Sequence, residues 1–231
     1  MAPVESAVSG RRAIVFDLDG VVLDSEPAIR ASVDDALASF GLAPVNDVEI
    51  RSMIGPAIAI GFASVLGRRG GSVSAVTELE TAYRKSYRTR GPEETRCFDG
   101  ILAVLEALVI DPRVVLGVAT SKPRPSTESI LAALELDRFF PVIGAPELSN
   151  AAESKAEILR RVLKELRVDP GLAVSGHCMV GDRHYDVRAA IVNAIRPIGV
   201  SWGYGSLDEL VEAGASVVLD RPEDLAWLAE D

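Results

Sequence analysis

The chain has 231 residues, of which 48% are apolar, and a formal net charge of −10 at pH 7. This length and apolar content predict a sizeable buried core, in one large domain or two unequal ones. The negative charge disfavours binding to nucleic acid or to an anionic membrane surface. The chain has two cysteines and neither a leader nor a membrane-spanning pattern, so we expect a soluble, unprocessed protein of the reducing cytoplasm.

The first strong signal is an apolar run over residues 14–16 that leads into Asp17, Leu18, Asp19 and Gly20. Such a run predicts a buried strand that delivers two carboxylates to the edge of a sheet. Two like charges this close are favourable mainly when a cation or a shared proton lies between them. Asp17 and Asp19 are therefore candidate metal-binding and catalytic residues; the alternative is a strand exit with two solvated aspartates.

Residues 21–96 carry helical signals and no strand pattern. Ser25 is expected to cap a first helix whose apolar face extends to Phe40. A second helix is expected to break at Gly55 and Pro56, and two more should follow before residue 96. We expect this segment to form a small helical bundle.

From residue 97 onward, helical segments alternate with short β-branched runs, which predicts a parallel sheet covered by helices on both faces. The expected strands are 114–119, 139–143, 178–180, 197–200 and 217–219. The predicted fold class is α/β, with a doubly wound, Rossmann-like core formed by residues 1–20 and 97–231 and an all-helical cap domain inserted at 21–96. Ligands of such sheets bind beyond the carboxyl ends of the strands.

Two further positions at strand or helix ends carry polar residues. Thr120 and Ser121 close the strand 114–119, where a hydroxyl and free N–H groups can hold phosphoryl oxygens or simply form a turn. Lys155 lies on the buried face of its predicted helix and in the first turn, where the helix dipole disfavours a positive charge. Local rules broken in this way often mark a functional site, although a lysine can also extend past the helix end into water.

Asp182 and Asp186 follow another strand, four residues apart, and face the same side of a predicted helix. They can converge on one point, or Asp182 can act as a helix cap. His177 and His184 have no partner at a metal-ligand spacing, so we interpret both as structural or surface residues. Hard oxygen ligands without histidine or cysteine favour Mg²⁺ over zinc.

In this order, these residues resemble the haloacid dehalogenase-like hydrolase superfamily, and in particular its phosphoglycolate phosphatase-like branch with a helical cap. The segment 17–21 resembles the first motif, 119–123 the second, Lys155 the third, and Gly181, Asp182 and Asp186 the fourth. The resemblance covers nearly the whole chain. Residues 53–56 resemble the substrate-facing cap loop of this branch.

The resemblance implies a magnesium-dependent phosphatase. It implies that Asp17 attacks phosphorus to form an aspartyl-phosphate, and that Asp19 acts as general acid and then as general base. Mg²⁺ is expected at the Asp17 carboxylate, the Asp19 carbonyl and Asp182, with Asp186 supporting this set.

Thr120, the Ser121 amide and Lys155 are expected to hold the phosphoryl oxygens under a closing cap. The substrate is expected to be a small phosphorylated metabolite: a phosphoglycolate-like acid, a sugar phosphate or a nucleotide. Arg51, near the loop 53–56, is a candidate partner for a substrate carboxylate or second phosphate, or else forms a surface ion pair. We expect a monomer or a homodimer.

Two alternatives remain open. Val21 stands where many members of the superfamily carry threonine, which leaves a phosphomutase as an alternative. Residues 144–150 lack the acidic pattern of a close phosphoglycolate phosphatase, which leaves the identity of the substrate open. A phosphoacceptor signalling domain would also gather aspartates, a hydroxyl and a lysine around magnesium. The chain length and the helical insertion argue against that second alternative.

Overall fold

The computed structural model describes residues 11–150, 153–168 and 176–229. The strands of this part of the chain, in order, are β1 (Arg12–Phe16), β2 (Leu23–Asp24), β3 (Arg96–Cys97), β4 (Val114–Ala119), β5 (Val142–Gly144), β6 (Cys178–Gly181), β7 (Arg196–Val200) and β8 (Val217–Leu219). The helices are α1 (Glu26–Ala38), α2 (Asp47–Met53), α3 (Ile58–Arg68), α4 (Val76–Glu94), α5 (Ile101–Ile110), α6 (Arg124–Ala133), α7 (Lys155–Glu165), α8 (His184–Val192) and α9 (Leu207–Ala213).

Six of these strands form one parallel sheet in the order β5-β4-β1-β6-β7-β8. β1 lies at the centre, where its apolar residues are buried on both faces, as a parallel sheet covered by helices requires. Phe16 pairs with Val118 of β4 and with Val180 of β6. The residues that follow these three strands therefore emerge side by side at one edge of the sheet. The predicted α/β fold class is confirmed.

The helices α1–α4 lie between β2 and β3, which pair with each other as a short antiparallel ribbon. The chain thus leaves the sheet domain and returns to it through two adjacent strands. Helix α4 packs against α1 and α3 and also contacts α6 of the sheet domain. All four helices fall within the segment predicted as a cap, and the exact domain boundaries at 20/21 and 96/97 stay a prediction.

One predicted strand is misplaced. We expected a strand over 139–143, but a short 3₁₀ helix covers Asp137–Phe139 and β5 begins only at Val142. Pro141 explains the difference, because proline has no N–H to donate to a strand ladder. Helix α9 and a 3₁₀ helix at Pro222–Ala229 were not predicted from the sequence.

The start of α1 also differs from expectation. Ser25 occupies the cap position, but its side chain makes no capping hydrogen bond. The hydroxyl oxygen of Tyr204 instead accepts hydrogen bonds from the backbone N–H groups of Ser25 (2.9 Å) and Glu26 (3.1 Å). The prediction that the Ser25 side chain caps α1 was therefore wrong, and its hydroxyl donates a hydrogen bond to Asp19 instead. Phe40 lies beyond the end of α1 and is 43% exposed, so it does not extend the buried face.

Within the described residues, no helix combines the length and the apolar character needed to cross a membrane.

Candidate active site

The side chains that follow the central strands meet at the carboxyl edge of the sheet. Asp17 follows β1, Thr120 follows β4 and Asp182 follows β6, and all three are buried. Lys155, at the start of α7, reaches the same place although it is far away in sequence. The structure therefore brings together the strand-end residues that the sequence singled out.

Lys155 is the positive centre of this group. Its Nζ lies 2.8 Å from Asp17 Oδ2 and 3.0 Å from Asp186 Oδ1, and it donates a hydrogen bond to the Ala119 carbonyl oxygen at 3.1 Å. Burial opposes its charged form, but the two carboxylates raise the pKa of Lys155 above its ordinary value. The two carboxylates thus compensate for the unfavourable placement of a lysine in the first turn of a helix. The lysine points inward and does not extend into water.

Three buried carboxylates lie close enough to hold one metal ion. Oxygen atoms of Asp17, Asp182 and Asp186 are all within 4.8 Å of one another. One oxygen of Asp182 accepts a hydrogen bond from the Tyr204 amide at 2.7 Å, while its buried Oδ1 has no hydrogen-bond partner in the described structure. An unpartnered buried carboxylate oxygen is costly unless a cation fills the position. The donor set is all oxygen, so it fits Mg²⁺.

The raised pKa values of two of these carboxylates also favour a bound cation. Burial, helped by the charges of Asp186 and Asp19, raises the pKa of Asp17 to about 6 despite the opposing effect of Lys155. Burial and the neighbouring carboxylates of Asp186 and Asp17 raise the pKa of Asp182 well above its ordinary range. One lysine does not balance this much negative charge, and a divalent cation would favour the ionised forms.

Asp19 has a separate environment from Asp17. Its Oδ1 accepts a hydrogen bond from the Ser25 hydroxyl at 2.6 Å, and its Oδ2 lies 3.0 Å from Lys122 Nζ. Its carboxylate does not belong to the candidate metal-binding group of Asp17, Asp182 and Asp186. The predicted contribution of Asp19 to the metal site was its backbone carbonyl, and that contribution stays a prediction.

Thr120 and Ser121 occupy the turn between β4 and α6. The Thr120 side chain is buried, and its Oγ1 accepts a hydrogen bond from the Lys122 amide at 3.2 Å. Ser121 is half-buried, and both residues line a cavity shared with Asp17 and Asp19. Their placement suits the predicted binding of phosphoryl oxygens, which itself stays a prediction.

This cavity, of about 90 Å³, lies between the edge of the sheet and the inserted helices. The part of its wall that the inserted segment contributes is mostly apolar and includes Met53, Ile54, Pro56 and Ile58. The predicted loop around Gly55 and Pro56 thus faces the carboxylates.

Two aromatic residues and one arginine of α4 complete the wall. The rings of Tyr83 and Tyr87 stack 5.3 Å apart. Arg84 is half-buried and pairs with Glu80 at 2.6 Å. Arg51, the arginine that the sequence suggested, is exposed and is not among the residues that line this cavity. The structure therefore does not bring Arg51 to the other site residues, and its role in recognition stays a prediction.

The two histidines have partners outside the carboxylate group. The Nδ1 atom of buried His177 accepts a hydrogen bond from the Ala13 amide at 2.9 Å. His184 Nδ1 lies 2.5 Å from Glu209 Oε1. Among the described residues, the candidate metal-binding group contains neither histidine.

Sequence reasoning assigned no role to Lys122, Arg84 or Tyr204. Lys122 follows the Thr120-Ser121 pair directly, and its position just past a central strand was a usable signal. Tyr204 lies in a Gly-flanked loop after β7, where the same rule about strand ends applies. Arg84 is one of several charged residues on α4 and carried no signal that distinguished it.

Comparison with known proteins shows the family of this chain and relatives with different named activities. A family model described as haloacid dehalogenase-like hydrolase matches residues 14–200. The chain is 36% identical over 197 residues to a 5'-nucleotidase of Pseudomonas aeruginosa, covering 85% of this chain and 86% of that protein. It is 31% identical to phosphoglycolate phosphatase 1 of the same organism, covering 95% and 80%. It is also 34% identical to the tyrosine-protein kinase PtkA of Mycobacterium tuberculosis, covering 89% and 67%.

A solved structure of similar fold is that of a predicted phosphatase from Clostridium acetobutylicum. It superposes on this chain with a TM-score of 0.81 at 29% identity, and the match covers 94% of this chain and 97% of that one. The similarity therefore includes both the sheet and the inserted helices.

Proposed function

Because the chain belongs to the haloacid dehalogenase-like hydrolase family, in its phosphoglycolate phosphatase-like branch, and is a phosphatase, we propose that it hydrolyses phosphate monoesters of small metabolites through a phosphorylated Asp17. The observation that carries this proposal is that two carboxylates facing one cavity have different partners. Asp17 pairs with Lys155 among the metal-binding carboxylates, while Asp19 pairs with Lys122 outside that group. Two carboxylates in different environments suit two different roles.

In the first step, an oxygen of Asp17 forms a bond to phosphorus while the bond from phosphorus to the ester oxygen breaks. Asp19 gives its proton to that departing oxygen, and the alcohol leaves. Lys155 and the hydroxyls and amides of the Thr120-Ser121 turn hold the phosphoryl oxygens as negative charge is redistributed. The geometry of Lys155, already 2.8 Å from Asp17, supports this assignment.

In the second step, water attacks phosphorus, its proton passes to Asp19, and the bond to Asp17 breaks to release inorganic phosphate. Asp19 thereby returns to its protonated state for the next ester. Mg²⁺ would be held by Asp17, Asp182 and Asp186, with the Asp19 carbonyl as a further ligand. When bound, the ion offsets the repulsion between the anionic phosphate and the carboxylates.

The substrate is proposed to be small because the cavity lies beneath the inserted helices. The part of its wall that the inserted segment contributes is mostly apolar, and Arg84 and Glu80 are the charged residues there, which suits an organic group with one anionic or polar end. The similar 5'-nucleotidase and phosphoglycolate phosphatase are both named for small phosphorylated compounds. A nucleotide or a small phosphorylated acid is therefore the first substrate class to examine.

The test is a screen of phosphorylated metabolites for released phosphate, with Mg²⁺ and with excess EDTA. Asp17→Asn, which keeps the shape of the side chain but removes the nucleophile, is the matched control. We expect the wild type to release phosphate only with Mg²⁺, and the variant to release none at the same fold stability. Turnover by Asp17→Asn within about tenfold of the wild type, or full activity in EDTA, would contradict the proposal.

A further inference from the structure

Lys122 is a buried lysine that the reaction described above does not use. Its side chain is 4% exposed, and its Nζ lies 3.0 Å from Asp19 Oδ2. Its Nζ also donates a hydrogen bond to the hydroxyl oxygen of Tyr87 at 2.7 Å. Burying an ammonium group is costly unless it has partners, so these two contacts account for its position.

The backbone of Lys122 is held on both sides. Its amide donates a hydrogen bond to Thr120 Oγ1 at 3.2 Å, and its carbonyl accepts one from Thr127 Oγ1 of α6 at 3.0 Å. Both threonines are buried. Because both backbone hydrogen bonds hold this turn in place, the Lys122 side chain has little conformational freedom. Lys122 can therefore hold the group that it contacts in one orientation.

Lys122 and Ser25 together occupy both oxygens of the Asp19 carboxylate, Lys122 on Oδ2 and Ser25 on Oδ1. These two contacts set the rotation of the carboxylate about its Cβ–Cγ bond. A proton passes efficiently between Asp19 and the ester oxygen only when this orientation is right, because proton transfer requires hydrogen-bond geometry. A misplaced carboxylate would slow the reaction without changing how the phosphate is bound.

Tyr87 connects this contact to the inserted helices. It lies on α4 and is 3% exposed, and burial raises the pKa of its phenol well above the ordinary range, so the phenol stays neutral. The Lys122 ammonium also lies 4.7 Å from the centre of the Tyr87 ring, within reach of a cation–π interaction. The orientation of Lys122 therefore depends on α4 being packed against the sheet domain.

We propose that Lys122 is a positioning residue that orients the Asp19 carboxylate for proton transfer to the leaving group, and that Tyr87 makes this orientation depend on α4. The inference rests on the proposed roles of Asp17 and Asp19. The Lys122–Tyr87 contact then affects the protonation of the leaving group, in addition to any effect on the stability of the fold.

The test compares two esters in single turnovers, in which only the release of the alcohol is measured. An alkyl phosphate needs a proton on its leaving oxygen, whereas p-nitrophenyl phosphate has a good leaving group and needs it little. We expect Lys122→Met to slow release from the alkyl ester by about tenfold or more beyond its effect on p-nitrophenyl phosphate, a part of the full effect of general acid catalysis. Substrate affinity should change little for either ester.

Tyr87→Phe removes a single hydroxyl and is the milder variant. It should also slow alcohol release from the alkyl ester more than from p-nitrophenyl phosphate, but to a smaller degree. In the Lys122→Met background it should cause no further slowing, because the effects of residues that act through one contact are not additive. Lys85→Met, an exposed lysine on the same helix, is the matched control and should leave both rates unchanged.

Several outcomes would overturn the inference. They are equal slowing of both esters by Lys122→Met, no selective effect of Tyr87→Phe, or full additivity of the two variants. If Lys122→Met does not fold, the selective loss in Tyr87→Phe decides alone. Asp17→Asn separates failure of this inference from failure of the proposed function. If Asp17→Asn still turns over either ester, the proposed function itself fails. If Asp17→Asn is inactive and Lys122→Met slows both esters equally, only the role of Lys122 fails.

Discussion

The backbone of Gly20 lies directly against the carboxylate of Asp182, so closely that a Cβ at position 20 would overlap Asp182 Oδ2. Gly20 also has a φ of +85°, which favours glycine. The turn after β1 thus leaves room for a proposed metal ligand that comes from β6. A side chain at this position would displace Asp182 from the other two carboxylates.

Gly20→Ala should therefore weaken the binding of Mg²⁺. Gly41→Ala is a matched control, because Gly41 has a φ of +68° but nothing within 4 Å of its Cβ position. Backbone strain should cost both variants about 1 kcal/mol of unfolding free energy, and Gly20→Ala should lose more because its Cβ also overlaps Asp182. Only Gly20→Ala should raise the Mg²⁺ concentration for half-maximal activity, by about tenfold or more, as losses of ligand support do. Equal magnesium requirements in the two variants would contradict the assignment of Asp182.

Lys155→Met should lower kcat/KM strongly, because the variant keeps the length of the side chain but removes the charge beside Asp17 and the phosphoryl oxygens. The expected loss is about 100- to 1,000-fold, comparable with removal of one preorganised donor. Steady-state kinetics on the best ester of the screen checks this, with Lys164→Met, an exposed lysine of the same helix, as the control. A loss below about fivefold would show that Lys155 serves folding rather than transition-state stabilisation.

Arg84→Ala should raise KM for a substrate that carries a second anionic group. A charge-assisted hydrogen bond contributes about 1.5–3 kcal/mol, so KM should rise about 10- to 100-fold. Hydrolysis of p-nitrophenyl phosphate, which lacks that group, should change little.

The same comparison with Arg51→Ala decides between the two arginines. The placement of Arg84 on the cavity wall predicts the selective effect for Arg84, whereas the sequence suggested Arg51 as a candidate for this role, with a surface ion pair as the alternative. A selective rise in KM for Arg51→Ala alone would favour the sequence prediction.

The contact between Glu209 and the start of α8 should make stability depend on pH. Partial burial opposes the ionised form, but hydrogen bonds from His184 and Arg183 lower the pKa of Glu209 to about 2, from an ordinary value of 4.5. A carboxyl with a lowered pKa stabilises the fold above its unfolded pKa and loses that contribution as the pH falls toward its folded pKa.

Glu209→Gln should therefore be less stable than the wild type at pH 7, and this difference should shrink as the pH falls from about 4.5 toward 2. Thermal unfolding across this range measures it, with Glu212→Gln, an exposed residue of the same helix, as the control. A difference that stays constant with pH would show that the contact acts through shape and not through charge.

The sequence predicted much of the fold because its signals were local. The apolar run before Asp17 predicted a buried strand, and the two carboxylates at its end indicated where the site would lie. Lys155 was identified because it breaks two local preferences, and the structure places it beside Asp17 and Asp186. The family resemblance is confirmed by the match over residues 14–200.

What the sequence did not predict depends on contacts between distant parts of the chain. Ser25 is of a residue type that often caps helices and lies at the cap position, yet its hydroxyl donates a hydrogen bond to Asp19. The Tyr204 hydroxyl, from the loop after β7, accepts the hydrogen bond from the Ser25 N–H at the start of the helix instead. The pairing of Lys122 with Tyr87 joins a turn of the sheet domain to an inserted helix, and no periodicity in either segment indicates it.

The stereochemical course at phosphorus tests the central claim most directly. A phosphorothioate ester made chiral with oxygen isotopes is hydrolysed in isotopically labelled water, and the configuration of the released thiophosphate is determined. Transfer first to Asp17 and then to water comprises two in-line displacements, each of which inverts phosphorus, so the account predicts net retention. Net inversion would mean that water attacks the ester directly, and it would contradict the role of Asp17 as nucleophile.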